Sequence, residues 1–212
     1  MDKSTTIEVG YNQFTRYYTD KIPLEDIDGM VKHIDLLPVT WSTGKIQEHG
    51  TKTITDGEVN PARDCKIKWI EDKKLREYVW NEFLRANVDV DFQFDITNLE
   101  NIQYTRYDPG MHYNWHNDTM RGNMGGDTPM IRKLSMTLVL NDEFEGGEFE
   151  IGENQGWIDD EGNYSMKLKT YKMDLRKGDI LVFPSNLEHR VNPITKGQRN
   201  VLVAWAWGPL FK

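Results

Sequence analysis

Residues 178–205 read GDILVFPSNLEHRVNPITKGQRNVLVAW, and this stretch predicts three short strands in succession. The apolar runs lie at 179–184, 188–194 and 199–207, and Lys196-Gly197 marks a turn between the last two. Short runs of β-branched and aromatic residues bounded by Gly, Pro and Asn are typical of strands rather than helices. The C-terminal part of the chain is therefore predicted to be β-structure.

The same pattern of short strands begins near residue 99. Turn signals such as Asp108-Pro109-Gly110 and Gly146-Gly147 separate further strand candidates. Five such candidates lie at 100–107, 111–117, 132–140, 147–151 and 167–175. Eight short strands at this spacing predict a β-sandwich or barrel, and a double-sheet jelly roll, or double-stranded β-helix, is one such solution.

Two amphipathic helices are predicted ahead of these strands. Residues 23–36 place Leu24, Ile27, Val31 and Ile34 at helical spacing, and residues 71–86 do the same with Leu75, Val79 and Phe83. Their outer faces are polar, so the helices should cover one face of a sheet. Residues 41–64, between the helices, are polar and rich in turn formers, which predicts a long loop with one strand.

These elements predict a mainly β protein with flanking helices. We expect one domain over residues 1–212. Within it, a helical and loop part over 1–98 would buttress a jelly-roll core over 99–208.

Composition restricts the class of protein. The chain has 212 residues, of which 38% are hydrophobic, which is typical of a packed globular protein rather than a disordered one. No apolar run is long enough to span a bilayer, and the N-terminus lacks the apolar core of a signal peptide, so we expect a soluble, cytoplasmic protein. The single cysteine, Cys65, excludes an internal disulfide and a multi-cysteine metal site, and we expect it to be a buried or half-buried packing residue.

The charge of the chain is uneven. The net charge is −8, which argues weakly against a duplex nucleic acid as partner, since such partners need a basic face. Residues 167–212 contain nine Lys or Arg and three Asp or Glu, a net of +6, so the remainder carries −14. This contrast fits two solvated surfaces of opposite sign, or a C-terminal part that binds an anion.

The segment 107–118 reads YDPGMHYNWHND and carries two candidate metal ligands, His116 and Asp118. On a strand, residues two apart leave the same face, so this imidazole and this carboxylate would lie side by side. They are two of the three ligands of a His₂–carboxylate facial triad, which leaves three positions on Fe(II) for a bidentate ligand and O₂. His189 follows the predicted strand 179–184 and is the candidate third ligand.

Arg199, ten residues after His189, is the candidate anchor for 2-oxoglutarate. This co-substrate chelates iron through its 2-oxo acid end, and its distal carboxylate then needs a fixed cation. A guanidinium offers two parallel, charge-assisted hydrogen bonds and does not lose its proton. The turn at Gly197 would let the strand that carries Arg199 run back beside the strand that carries His189.

These segments resemble the prolyl 4-hydroxylase superfamily and are most similar to PKHD-type hydroxylases. The resemblance covers about residues 100–208. It rests on YDPGMHYNWHND, on RKLSMTLVLN (132–141), on EGGEFEI (145–151) and on the 178–205 stretch. It implies iron ligation by His116, Asp118 and His189, and binding of the distal carboxylate by Arg199. It also places Tyr107, Tyr113 and Trp205 around the metal and the co-substrate.

The activity implied by the resemblance is that of an Fe(II)- and 2-oxoglutarate-dependent dioxygenase. It would hydroxylate a C–H bond, with a prolyl or other residue of a protein or peptide as substrate, and release succinate and CO₂. Ascorbate is expected as an accessory reductant. Many animal and plant prolyl 4-hydroxylases have Lys where this chain has Arg199, which argues against a collagen-type assignment. The polar loops 41–64 and 119–131 are candidates for closing over substrate.

Several alternatives are compatible with parts of this pattern. A nucleobase oxygenase of the AlkB type would carry a second Arg six residues after the first, where this chain has Trp205. A jelly-roll binding module without turnover would need neither Arg199 nor open metal positions. A hydrolase that holds zinc with the same ligands would not bind 2-oxoglutarate. The substrate stays open between a peptidyl residue and a free amino acid or other small molecule, and no oligomeric state is predicted.

Some of the candidate residues also have simpler interpretations. Tyr107 and Tyr113 could be half-buried strand aromatics, and Trp205 could be ordinary core. His112 lies four residues before His116, as in a helical zinc pair, but Asp108-Pro109-Gly110 argues against a helix there and position 113 is Tyr rather than Glu. His112 is therefore not expected to be a ligand.

Overall fold

The structure, a computed structural model, describes residues 5–8, 16–44, 62–158, 161–162 and 164–210. Two helices are present, α1 (Leu24–Leu36) and α2 (Lys73–Asp89), within a few residues of their predicted positions. Asp72 caps α2, because its carboxylate accepts a hydrogen bond from the backbone N–H of Leu75 at 2.9 Å. Within the described chain, neither helix is long and apolar enough to cross a membrane.

The strands follow one another along the chain and are numbered in that order. The first eight are β1 (Thr5–Glu8), β2 (Arg16–Lys21), β3 (Ser42–Thr43), β4 (Arg63–Asp64), β5 (Lys66–Ile70), β6 (Asn98–Leu99), β7 (Ile102–Tyr107) and β8 (His112–His116). The next nine are β9 (Arg121–Gly122), β10 (Met130–Val139), β11 (Phe144–Gly146), β12 (Phe149–Ile158), β13 (Tyr164–Met173), β14 (Asp179–Pro184), β15 (Glu188–Val191), β16 (Ile194–Gly197) and β17 (Arg199–Pro209).

Two antiparallel sheets form the jelly roll. The large sheet has the order β1-β2-β14-β10-β17-β7-β5-β3, with β9 beside β10 and β6 beside β17. The small sheet has the order β13-β12-β15-β8-β4, and β11 and β16 form a separate pair. The inner faces of the sheets share one apolar cluster, in which Leu181 and Val201 of the large sheet join Ile151 and Val191 of the small one. The predicted fold class is therefore confirmed.

The helices cover the outer face of the large sheet, as predicted. Ile27 of α1 and Phe83 of α2 are fully buried and belong to the same apolar cluster as Leu134, Met136 and Leu202 of the sheet. This cluster and the inner one share the same strands, because alternate residues of β10 and β17 face opposite sides. The large sheet therefore carries buried apolar side chains on both faces, which makes it a stable base for residues that point inward.

The helical and loop description of residues 1–98 is incomplete. Besides two helices, this part contributes five strands, and β2 pairs with β14, β5 with β7, and β4 with β8. These strands are short, and their stability comes from pairing with strands far away in the sequence, which local patterns do not reveal. Of the predicted loop 41–64, the ends form β3 and β4, and residues 45–61 lie outside the described residues.

Most strands of the C-terminal half lie where predicted, but one hairpin is much longer. β12 and β13 each have ten residues and pair over their full length, whereas the sequence predicted strands at 147–151 and 167–175. Residues 152–157 read GENQGW and lack an apolar alternation. The apolar residues 149–151 set the register of the pairing, and the polar residues that follow continue it. The local sequence pattern does not predict this continuation.

Candidate active site

A cavity of about 650 Å³ opens between the two sheets. Its walls come from the inner faces of β7, β10 and β17 on one side and of β8 and β15 on the other. All of the residues that the sequence singled out as site candidates line it: Tyr107, Tyr113, His116, Asp118, His189, Arg199 and Trp205. His112, which was not expected to be a ligand, is not among the lining residues.

The three candidate ligands converge at this cavity. His116 of β8 lies directly opposite His189 of β15, and Asp118 follows two residues after His116. His116 Nε2 is 3.7 Å from Asp118 Oδ1, and His189 Nε2 is 3.5 Å from Asp118 Oδ2. One ligand atom from each residue lies within 4.8 Å of the others, close enough to share one metal ion. Two imidazoles and one carboxylate are the donor set that suits Fe(II) with open positions.

Backbone carbonyl groups orient both imidazoles. His116 Nδ1 is 2.7 Å from the carbonyl oxygen of Asn114, and His189 Nδ1 is 2.9 Å from that of Leu187. A carbonyl oxygen can only accept, so each Nδ1 carries the proton and donates it. In the neutral ring, Nε2 then carries the lone pair, and in both residues it is Nε2 that faces the Asp118 carboxylate, which is the orientation that a metal ligand needs.

The electrostatics of the cluster favour the same state. Burial lowers the pKa of His116 well below its ordinary value, and the neighbouring His189 lowers it further. Burial by itself would raise the pKa of Asp118, but His189 and His116 outweigh that effect and hold it below its ordinary value. At neutral pH, His116 is therefore neutral and Asp118 is ionised, so His116 need not lose a proton before it binds a metal.

Aromatic rings fix the planes of the two imidazoles. The ring of Tyr113 stacks on that of His116, with 3.4 Å between centroids and 12° between planes. His189 contacts Phe149 and Phe183, with centroids 5.5 Å and 4.9 Å away. Rings that are packed in this way lose little freedom when they bind a ligand, so the site is pre-organised.

Arg199 is a buried cation at the start of β17. Its side chain is 2% exposed, and it makes no hydrogen bond or ion pair with any described residue. Burial lowers the pKa of Arg199 to about 10, so it remains charged at neutral pH. Its guanidinium lies 5.8 Å from the ring centroid of Tyr107 and 6.0 Å from that of Phe144. A buried charge without a partner costs several kcal/mol, and a carboxylate in the cavity would offset that cost.

A glycine provides the space that the Arg199 side chain occupies. Gly147 has φ +66°, and a Cβ at this position would lie 3.1 Å from Arg199 Cδ and 2.2 Å from Ile194 Cδ1. The second contact is too short for any side chain to be tolerated without a shift. Gly147 thus allows the buried course of Arg199, and it belongs to the Gly146-Gly147 pair that the sequence marked as a turn.

Tyr107 and Trp205 lie with Arg199 on the inner face of the large sheet. Tyr107 lies directly opposite Arg199 on β7, is 3% exposed, and has a pKa raised by burial. Trp205 is 6% exposed, and its ring centroid lies 4.0 Å from the guanidinium carbon of Arg132. Its indole N–H is buried, and its interaction with the Asp118 carboxylate helps to lower the pKa of that group. Both aromatic residues therefore line the cavity as predicted, and what they bind remains a prediction.

Several polar residues that line the cavity, and Ser135 behind Asp118, were missed by the sequence analysis. Arg63 donates to Gln103 Oε1 at 2.7 Å, and Arg132 makes two hydrogen bonds to Glu100 at 2.9 Å and 2.8 Å. Ser135 donates to Asp118 at 2.7 Å. One signal could have found Ser135: in RKLSMTLVLN, polar residues alternate with apolar ones on a strand that is buried on both faces.

The loop predicted at 119–131 forms a short hairpin at the mouth of the cavity. β9 pairs with the start of β10, and Thr119 and Met120 line the cavity.

Cys65 is fully buried, as expected, and accepts a hydrogen bond from Arg63 Nε at 3.2 Å.

The part of the chain that forms this cavity matches a known protein family. Residues 102–207, half of the chain, match the family model of the 2OG-Fe(II) oxygenase superfamily. This range contains every site candidate that the sequence singled out.

Individual relatives and solved structures agree with that match. A PKHD-type hydroxylase of Crocosphaera subtropica is 32% identical over 137 residues, which cover 64% of this chain and 54% of that protein. The chain spans about half the length of the curated relatives it matches. A crystal structure of a Pseudomonas putida prolyl-4-hydroxylase is similar in fold, with a TM-score of 0.59, 18% identity, and coverage of 92% of this chain and 93% of that one. So is a Trichoplax adhaerens prolyl hydroxylase in complex with a peptide fragment of the hypoxia inducible factor oxygen degradation domain, with a TM-score of 0.54, 19% identity, and coverage of 89% and 82%.

Proposed function

Because the chain belongs to the 2OG-Fe(II) oxygenase superfamily, we propose that it is an Fe(II)- and 2-oxoglutarate-dependent dioxygenase that hydroxylates a C–H bond and releases succinate and CO₂. One observation carries the proposal. A neutral imidazole, an ionised carboxylate and a second imidazole converge in the same cavity that holds a buried guanidinium without a described partner. A metal-dependent hydrolase would have no use for that cation.

In this proposal His116, Asp118 and His189 hold Fe(II). Their donor set and spacing fit one ion with three positions open. The metal and co-substrate, when bound, supply the chemistry in which O₂ gives one oxygen atom to the substrate and one to succinate, while 2-oxoglutarate loses CO₂. The protein supplies the geometry and a dry cavity, through side chains such as Phe149 and Phe183 around His189.

Arg199 receives the distal carboxylate of 2-oxoglutarate. Arg199 is 2% exposed and lines the cavity, so a carboxylate bound there would form two charge-assisted hydrogen bonds with its guanidinium in a low-dielectric environment. Tyr107, directly opposite on β7, is proposed to line the same subsite. Tyr113 and Trp205 are proposed to line the neighbouring space next to the metal.

An anaerobic titration tests the function directly. Fe(II) and 2-oxoglutarate together should give a visible metal-to-ligand charge-transfer band, and neither component alone should give it. On admission of air and ascorbate, the proposed accessory reductant, the protein should convert 2-oxoglutarate slowly to succinate. A protein that binds the metal but gives no such band would contradict the proposal and favour the zinc hydrolase.

The substrate is proposed to be a prolyl or other residue within a protein or peptide. The Trichoplax enzyme of similar fold is in complex with a peptide fragment, which supports this choice. A second, open groove of about 1160 Å³ adjoins the cavity and shares Trp69 and Glu100 with it. Arg76, Trp80 and Met124 also line the groove, whose volume leaves room for residues that flank the reacting one. A free amino acid would fill the cavity and leave this groove unused.

Replacing Trp69 with Ala should therefore raise the KM for peptide substrates. The Trp69 side chain is 41% exposed, and its ring lies 6.2 Å from that of Trp205 at the junction of cavity and groove. Losing an aromatic contact of this kind typically costs about 1–3 kcal/mol, or roughly 5- to 150-fold in affinity. The affinity for 2-oxoglutarate, measured by the charge-transfer titration, serves as an internal reference and should change far less.

A matched control is Met166→Ala, which removes another exposed apolar side chain, on β13, and should leave the KM unchanged. A Trp69→Ala variant with a wild-type KM for an accepted peptide would show that substrate does not run through this groove. Turnover of free amino acids but of no peptide would shift the substrate class to small molecules.

A further inference from the structure

The second oxygen of the Asp118 carboxylate is held by a chain of two buried hydroxyl groups. Ser135 Oγ lies 2.7 Å from Asp118 Oδ2 and 2.9 Å from Ser185 Oγ. Both serines are 1% exposed. A hydroxyl has one proton and an ionised carboxylate only accepts, so Ser135 donates to Asp118. Ser185 must then donate to Ser135, and the chain runs from Ser185 through Ser135 to Asp118.

Main-chain hydrogen bonds fix Ser185. The backbone N–H of Asp118 donates to the carbonyl oxygen of Ser185 at 2.8 Å, and the backbone N–H of Ser185 donates to that of Lys133 at 3.0 Å. Ser185 follows β14, while Ser135 lies within β10. Asp118 itself lies beyond the end of β8, where the small sheet no longer holds it. The two serines thus attach this residue to the large sheet by both backbone and side chain.

We propose that Ser135 and Ser185 are positioning residues that make Asp118 a one-oxygen metal ligand. Oδ1 lies 3.7 Å from His116 Nε2, and Oδ2 lies 3.5 Å from His189 Nε2. Because Ser135 donates to Oδ2, one lone pair of that oxygen is occupied and rotation of the carboxylate is restricted, which leaves Oδ1 as the oxygen presented for coordination. A freely rotating carboxylate can chelate a metal with both oxygens and so occupy a further position. That position is one of the three that 2-oxoglutarate and O₂ require. The inference rests on the proposed iron site.

Hydrogen bonds to a ligating group from outside the metal's own ligands typically affect metal affinity or activity 10- to 100-fold. We therefore expect Ser135→Ala to weaken Fe(II) binding, measured anaerobically, by roughly 10- to 100-fold. Ser185→Ala should have a smaller but measurable effect, because Ser135 keeps its own bond to Asp118 while it loses the donor that directs its proton there. Ser135→Thr keeps the hydroxyl and should restore most of the affinity.

Thr105→Val is the matched control. Thr105 is fully buried, and its hydroxyl donates to Gln103 Oε1 at 3.1 Å, so this substitution also removes a buried hydroxyl hydrogen bond. It does not touch Asp118, and its Fe(II) affinity should equal that of the wild type. Thermal melting of the metal-free variants shows whether Ser135→Ala and Thr105→Val lose similar stability.

The absorption spectrum of the Co(II)-substituted protein separates positioning from general packing. The position and intensity of its d–d bands report the number and geometry of the ligands. Ser135→Ala should change these bands, while Ser135→Thr and Thr105→Val should keep the wild-type spectrum. A purely structural serine would change the melting temperature and leave the spectrum as it is.

Wild-type Fe(II) affinity together with a wild-type Co(II) spectrum in Ser135→Ala would overturn the inference. If Ser135→Ala does not fold, Ser185→Ala takes its place, and a wild-type affinity and spectrum there would have the same force. A wild-type protein that binds no Fe(II) in this titration would instead refute the proposed function, so the two failures are distinguishable.

Discussion

Replacing Arg199 with Ala is expected to weaken 2-oxoglutarate binding by roughly 30- to several-thousand-fold and to leave Fe(II) binding intact. Removing one partner of a buried, hydrogen-bonded charge pair typically costs about 2–5 kcal/mol, which corresponds to that range. Arg199 is 2% exposed and lies outside the group of three metal-ligand candidates. The measurement is the charge-transfer titration with 2-oxoglutarate, next to a separate titration with Fe(II).

Two further variants separate binding from folding. Arg199→Lys keeps the charge but not the two-pronged geometry, and should recover part of the affinity. Arg199→Met keeps most of the volume and removes a buried charge that has no described partner, so it should bind 2-oxoglutarate as poorly as Ala does. In the absence of 2-oxoglutarate, it should unfold at the wild-type temperature or above, since replacing buried charges by apolar groups is often neutral or stabilising.

Discrimination between two acids is the most specific measurement. A 2-oxo acid without a distal carboxylate should bind the wild type poorly, and the Arg199→Ala variant should discriminate less between this acid and 2-oxoglutarate. General misfolding would weaken both acids and the metal together. Wild-type affinity of Arg199→Ala for 2-oxoglutarate would remove the co-substrate assignment and favour a hydrolase or a binding module.

The second large effect is expected for the metal. His189→Ala should reduce Fe(II) affinity by more than about 100-fold and abolish succinate formation. This loss exceeds the roughly 10- to 100-fold that is typical when a residue that only hydrogen-bonds to a metal ligand is replaced. The reason is that two ligands cannot define one face of the ion. His189 is 4% exposed and its Nδ1 already donates to Leu187, so the lone pair that is lost is the one that faces the cavity.

His112→Ala is the control for His189→Ala. His112 lies on β8, the strand that carries His116, but outside the lining of the cavity. Its replacement should leave Fe(II) binding unchanged. Asp118→Ala should behave like His189→Ala, with partial recovery if a small carboxylate such as formate is added. Equal iron loss in His112→Ala and His189→Ala would mean that the ligand assignment is wrong.

The candidate site was predictable because its ligands obey local rules. The two-residue spacing of His116 and Asp118 keeps the two side chains close together, although Asp118 lies just beyond the end of β8, and the short apolar runs around His189 and Arg199 fix where their strands begin. The family resemblance then supplied the candidate roles of Tyr107 and Trp205. All of these residues line one cavity.

The remaining features depend on contacts between distant segments. Arg63 meets Gln103 across 40 positions of sequence, and Ser135 meets Ser185 across 50, so no window of sequence contains both partners. Strand β2 pairs with β14 although its residues read RYYTDK, which by itself favours no element. Polar side chains in the interior follow from packing rather than from local pattern.

The direct pairing of His116 with His189, and of Arg199 with Tyr107, makes the site sensitive to register. A shift of one residue in either strand pair turns a side chain to the opposite face of the sheet. Insertions in connecting segments change the number of residues between the ligands without this consequence. Among homologues, the lengths of the connecting loops can therefore differ. The alternation of inward and outward side chains along each strand that carries a site residue must be kept. A one-residue deletion within 112–115 would turn His116 to the opposite face of the sheet, away from His189 and from the cavity.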